Sequence, residues 1–376
     1  MTMTMGSPRA HARTPQALWA GEAATIGAVE ALLQQNLDSL ALSWRRLDLV
    51  ARRDSDELDT ASVLDLLGGM VAAGGKFFRP RMAYWGWVAG GGSASGRGRD
   101  ELVQSCVALE LLHVFALIHD DVMDASDTRR GRPSVHAAAR QQHRELGGQG
   151  DAQRYGENIA ILAGDLAHSE AGLLVGQLPL PMQELWRTLT VELMVGQGRD
   201  LVGAANGRRD LEHARAVARA KSGAYTVTRP LQLGAIAAGA GPQTLAALER
   251  YGIAAGEAFA LRDDILGVIG DPRQTGKPVG DDLVAGKPTV LLALADERFG
   301  PRHRRLLDRA ARGRASARQL ADLQAELFRS GVIDEVEAMI AAAVETASSA
   351  AEDPSIAAEA ALGLHELVRR MAWRDR

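Results

Sequence analysis

The chain has 376 residues, 46% hydrophobic and 24% charged, with a formal net charge of −4. That length supports a large buried core, and the weak acidic balance excludes a general nucleic-acid binder. A single cysteine, Cys106, excludes an intrachain disulfide.

Residues 1–18 are polar and carry proline, so a disordered tail is expected there. No apolar signal-peptide core stands near the N-terminus, which makes the cytoplasm the expected location. From there on, apolar residues recur at spacings of three and four, as in "AVEALLQQNLDSLALSW" (28–44) and "ELVQSCVALELLHVFALIH" (101–119). Aromatic residues make up only 4%, and strand-type runs of Val, Ile, Thr and Tyr are nearly absent. The pattern predicts an all-α fold, a large single-domain helical bundle over 19–376. Loops are marked by "GGSASGRG" (91–98), "RELGGQGDAQ" (144–153), "LPLP" (178–181) and "GDPRQTGKPVGDD" (270–282). "LQLGAIAAGAGPQTLAALE" (231–249) is uncharged until its end. Its glycines, proline and glutamine and its alanine-based apolar content argue against a membrane span.

Three charged clusters stand out along these helices. In "GGKFFRPRM", Lys76, Arg79 and Arg81 alternate with Phe77, Phe78 and Pro80. Two glycines before a lysine can turn backbone N–H groups toward an anion. The same stretch also reads as a helix start with snorkelling basic side chains. The second cluster closes the apolar 101–119 helix: Asp120, Asp121 and Asp124, then Arg129 and Arg130. Asp120 and Asp124 share a helix face, and like charges so placed at the negative end of the helix dipole oppose folding. Divalent cations relieve that conflict: Mg²⁺ takes carboxylate oxygens and completes its shell with water and phosphate oxygens. The two arginines offer planar donors to the same phosphates. By itself this cluster fits a solvated acidic helix end equally well. The third cluster begins 143 positions after the second. "FALRDDILGVIGDPRQTGKPVGDDLVAGKPT" carries Asp263, Asp264, Lys277, Asp281 and Lys287, again a carboxylate pair ending an apolar run before a basic glycine-rich loop. The echo places two similar helix ends at one cavity. The basic 76–81 cluster, with no acidic group of its own, suits a diphosphate bound without metal. Other polar residues interrupt apolar helices: His113, Gln197 and Asp200, Lys221 and Ser222. Singly, such residues are more often satisfied core groups than ligands. Pro230 is expected to kink its helix.

Taken together, "DDVMD" with "RRGRP", "GGKFFRP", "AGDLAHSEA" (163–171), Gln197 to Asp200, Lys221–Ser222, and Phe259 through Thr289 resemble, in the same order, the motifs of the trans-isoprenyl diphosphate synthases of the polyprenyl synthetase family. Two positions depart from the family's second aspartate motif: Ala260 replaces a glutamine and Gly267 the third aspartate. The resemblance implies an all-α bundle around a deep central cavity, homodimeric. It also implies a cluster of three magnesium ions per site, with manganese able to replace them, held by Asp120, Asp121, Asp124 and Asp263.

On this resemblance, Asp264, Arg129 and Lys221 join the catalytic set. Isopentenyl diphosphate falls to Lys76, Arg79, His113 and Arg130, and the allylic diphosphate to Arg129, Gln197, Lys221, Ser222, Lys277 and Lys287. Product length falls to Phe115 and Ala116, five and four residues before Asp120. In the family, a lone aromatic at the deeper position goes with a twenty-carbon product, here geranylgeranyl diphosphate. The competing readings are a farnesyl or longer product, a class I terpene cyclase, and a non-catalytic partner subunit of a synthase.

Overall fold

The computed structural model describes residues 14–48, 58–59, 61–92, 97–270 and 280–374. Its helices are α1 (Pro15–Asp48), α2 (Ala61–Ala72), α3 (Phe78–Ala89), α4 (Arg97–Met123), α5 (Val135–Glu145), α6 (Ala152–Val175), α7 (Leu180–Ala205), α8 (Leu211–Val217), a π-helical stretch (Ala218–Thr228), α9 (Arg229–Ala237), α10 (Pro242–Ile269), α11 (Asp281–Ala285), α12 (Val290–Arg298), α13 (Pro301–Ala310), α14 (Ala317–Arg329), α15 (Val332–Ala351) and α16 (Ala358–Ala372). Two two-residue strands, β1 (Thr128–Arg129) and β2 (Arg132–Pro133), are the only strands among the described residues. The fold is all-α, as the periodicity predicts.

The expected tail needs correcting at its inner end. Residues 1–13 lie outside the described residues, but α1 already begins at Pro15 and buries Leu18. Its buried positions, Leu18, Glu22, Thr25, Ile26, Val29 and Leu33, fall three or four apart, so the amphipathic pattern starts inside the stretch read as tail. Glu22 also removes Arg81 from the basic cluster. The Glu22 carboxylate takes the Arg81 guanidinium on one oxygen and Trp85 Nε1 at 2.5 Å on the other. A buried carboxylate without such partners would be strongly unfavourable.

Helix α4 packs against α1, α3, α5, α6 and α9. Residues Gly98–Met123 are long and apolar enough by composition to cross a membrane, but 67% of their apolar 18-residue core is buried inside the bundle. It feeds both hydrophobic clusters, the large one through Leu102, Leu109 and Leu112 and the smaller one through Val114 and Ile118 against α2 and α6. Each such leucine contributes about 2 kcal/mol of burial. The proline kink takes a specific form: Pro230 opens α9 directly after the π-helical stretch. A proline lacks an N–H and crowds the carbonyl four residues back, and a wider helical turn accommodates both. That stretch carries Lys221 and Tyr225. It lies so close to α7 that a Cβ on Gly196 would stand 2.5 Å from the Lys221 backbone nitrogen.

Candidate active site

The end of α4 and the hairpin after it form one ionic unit. Arg130 and Gly131 both adopt positive φ, 52° and 73°. They make the two-residue turn that a tight hairpin requires, with Arg129 paired to Arg132 across it. The hairpin folds Arg129 back onto α4, where its Nε lies 3.0 Å from both Asp121 oxygens and its terminal nitrogen 3.7 Å from Asp120. Lys221 Nζ reaches Asp120 at 3.0 Å and also binds Asp200, while Gln197 Nε2 donates to Asp120 at 3.2 Å. Lys287 Nζ takes Asp124 at 2.7 Å. Burial alone would raise the Asp120 carboxyl, but Lys221, Lys287 and Arg129 outweigh it and hold it well below the usual carboxylate range. Burial likewise opposes the charge on Lys287. Asp282, Asp124 and Asp120 outweigh it and push that ammonium well above its ordinary value.

The second acidic helix end is built differently. Asp263 binds Arg374, whose guanidinium lies 4.1 Å from the Phe259 ring. Asp264 points inward and accepts the Val290 N–H at 2.9 Å at the start of α12. Burial, then the nearby Asp282, push its carboxyl well above the usual range. It anchors the start of α12. Lys277 lies outside the described residues. Ser222 follows Lys221 on the π-helical stretch, half-buried.

A second site, basic and without an acidic pair, lies further back along α4. Arg79 stacks its guanidinium 4.0 Å over the Tyr225 ring and donates to Thr226 Oγ1 at 3.0 Å. His113 Nδ1 lies 2.9 Å from the Tyr225 hydroxyl. Burial, with Arg79, Arg130 and Arg129 adding to it, holds the His113 imidazole well below its ordinary value, so it is neutral. Arg130 lies 3.4 Å from where a Cβ on Gly75 would stand, which brings the "GGK" loop and the hairpin together. The exposed Lys76 ammonium sits 5.6 Å from the Phe78 ring. Among the described residues, neither Arg79 Nε nor Glu110 Oε1 finds a hydrogen-bond partner.

Glu110 was not singled out by its sequence, because a glutamate on a long helix is usually solvated. Here burial pushes its carboxyl up to about 7, against the pull of Arg79 and Arg130. Such a group is neutral in the fold and ionised in the unfolded chain. It therefore costs stability as pH rises from its ordinary 4.5 to about 7, and the cost levels off above that. Glu110→Gln is expected to melt with the wild type near pH 4 and above it near pH 8; equal melting temperatures at both would contradict this burial.

Phe115 is half-buried between α4 and α6, its ring 4.6 Å from His119 and 4.9 Å from His168. Ala116 packs on the large cluster. Asp200, singled out in the sequence, is brought to Lys221; Tyr225, Thr226, Asp282 and Arg374, whose partners lie far along the chain, were not singled out.

The donor set suits magnesium. The carboxylates offer only oxygen, and each is neutralised by a cation of the chain itself: Asp120 by Lys221, Asp121 by Arg129, Asp124 by Lys287 and Asp263 by Arg374. Bound magnesium would supply the same positive charge. With the chain's own cations in place, no three acidic, histidine or cysteine side chains among the described residues converge on one point.

Comparison with known proteins agrees. The polyprenyl synthetase profile matches residues 61–327. The chain is 32% identical to the geranylfarnesyl diphosphate synthase of Aeropyrum pernix, over 74% of this chain and 83% of that one. It is 31% identical to the short chain isoprenyl diphosphate synthase of Methanothermobacter thermautotrophicus, over 73% and 79%. The crystal structure of a Corynebacterium glutamicum geranylgeranyl pyrophosphate synthase, complexed with isoprenyl diphosphate and magnesium, superposes with a TM-score of 0.83 at 34% identity, covering 92% of this chain and 98% of that one.

Proposed function

The chain belongs to the polyprenyl synthetase family, and from that membership we propose that this isoprenyl diphosphate synthase joins isopentenyl diphosphate to an allylic diphosphate and releases mainly geranylgeranyl diphosphate. The observation that carries the reading is the pair of unlike sites on α4. One is acidic and balanced by cations of the chain itself, and the other is basic around Arg79 and His113. Two diphosphates, one bound with metal and one without, need that pairing.

Asp120, Asp121, Asp124 and Asp263 would hold magnesium, which supplies charge neutralisation for a departing diphosphate. Lys221 and Lys287 exchange their carboxylates for phosphate oxygens, with Arg129, Gln197, Ser222 and Lys277 completing the allylic site. The allylic C–O bond breaks and the electron pair leaves with the diphosphate. Lys76, Arg79, Arg130 and neutral His113 hold isopentenyl diphosphate so that its alkene attacks the cation. The proton then lost goes to the released diphosphate. The chain contributes position and fixed charge. The apolar interior along α4 keeps water from the cation.

A homodimer in the cytoplasm is the form we favour. It is supported by an exposed apolar stripe on α7: Val191, Met194, Val195, Leu201 and Val202 are each at least 40% exposed.

Incubating the purified protein with isopentenyl diphosphate and each short allylic primer tests the function. Elongated prenyl diphosphates from this chain alone are expected. Cyclised hydrocarbon formed without isopentenyl diphosphate would mean a cyclase, which needs no second anion site. Silence alone with stimulation of another synthase would mean a partner subunit. Within the assay, Arg79→Ala should raise KM for isopentenyl diphosphate about tenfold or more, as expected for losing a charged hydrogen bond, with a smaller change for the allylic substrate. Equal changes would contradict two separate sites.

A further inference from the structure

The two acidic helix ends differ at one place. At the end of α4, Asp124 stands four residues after Asp120; on α10, the position four after Asp263 is Gly267. The spacing puts both positions on the same relative helix face. Gly267 is not an open gap, because the Asp282 carboxylate of α11 stands where a Cβ on Gly267 would go. Helix α11 is fixed at both ends by left-handed glycines, Gly280 at φ 79° and Gly286 at φ 62°. Lys287 treats Asp124 and Asp282 as counterparts, its Nζ lying 2.7 Å from one and 3.7 Å from the other.

We propose that Asp282 is the third carboxylate of the second acidic helix end, delivered from α11 because position 267 has no side chain. When Lys287 turns to a diphosphate, Asp282 turns to a divalent cation beside Asp263, as Asp124 does beside Asp120. The glycine is then a requirement of the swap: any side chain at 267 would displace the Asp282 carboxylate. This rests on the function proposed above.

The test is the affinity of the full chain for Mg²⁺ in the presence of inorganic diphosphate, followed by titration calorimetry, with melting curves to confirm folding. Asp282→Asn is expected to weaken binding about tenfold or more, within the range seen when groups around a metal are removed. Gly267→Ala should do the same while leaving the carboxylate's chemistry untouched. Gly267→Asp/Asp282→Ala returns a carboxylate from the α10 side and should recover affinity to within about threefold of wild type. Wild-type affinity in a folded Asp282→Asn or Gly267→Ala protein overturns the proposal. So does a folded double variant that binds no better than Asp282→Ala. Inorganic diphosphate needs no prenyl transfer, so these outcomes are separate from the functional reading. That reading fails instead if the wild type turns over no isopentenyl diphosphate.

Discussion

Asp120→Ala is expected to lower turnover at least about a hundredfold, the scale of losing a ~3 kcal/mol contact that strengthens in the transition state. Asp120 is the point where the site's charges meet. Lys221, Gln197 and Arg129 all reach it, and the charges of Lys221, Lys287 and Arg129 hold it ionised despite burial. Removing it leaves Lys221 on Asp200, so the π-helical stretch keeps an anchor and the variant is expected to fold. What it loses is a metal-holding carboxylate and the electrostatic balance that lets Lys221 move to phosphate. Asp124→Ala should behave alike, because Lys287 then has only Asp282, 3.7 Å away. The measurement is kcat and KM against Mg²⁺ concentration. Folded variants with wild-type kinetics would remove the metal role from this cluster.

The elements that sequence made visible are those whose information is local. The apolar spacing of 101–119 and the "DDVMD" that ends it lie within one helix, so both the helix and the convergence of Asp120 and Asp124 follow from 3.6 residues per turn. The partners of those carboxylates are not local. Lys221 is 101 positions from Asp120, and Arg374 is 111 from Asp263. The "RRGRP" segment read correctly as a basic loop, but strands of two residues have no periodicity, so the hairpin that sends Arg129 and Arg130 to different sites was invisible. Arg81 looked equal to Arg79 in sequence. Only the packing of α1 against α3 shows Glu22 occupying it. Pro230 announced a distortion, but not that it would take π-helical form over Ala218–Thr228. The departure at Gly267 read as a loss, because the side chain that fills its place comes from another helix.

Product length is the second large expected effect. Ala116, Asp120 and Asp124 are spaced four apart and share one stripe of α4. Phe115 lies on the adjoining stripe, its ring between His119 of α4 itself and His168 of α6. Both positions lie about 6–7.5 Å along the helix axis behind Asp120. A chain growing away from the diphosphate along α4 meets them in turn. On the chain-length reading, Ala116 is the small residue beneath the carboxylates and Phe115 the ring that stops the chain against α6. The relatives do not decide the matter, since the names at similar identity include both geranylfarnesyl and geranylgeranyl synthases. Phe115→Ala removes the ring and should move the main product beyond twenty carbons. Ala116→Phe sets a ring under Asp120 and should move it to fifteen. His168→Ala, which loosens the Phe115 ring without removing it, should broaden the distribution toward longer chains. Mass analysis of products from folded variants is the measurement. If Phe115→Ala and Ala116→Phe both leave the distribution unchanged, the floor is formed by other residues and the geranylgeranyl assignment loses its structural basis.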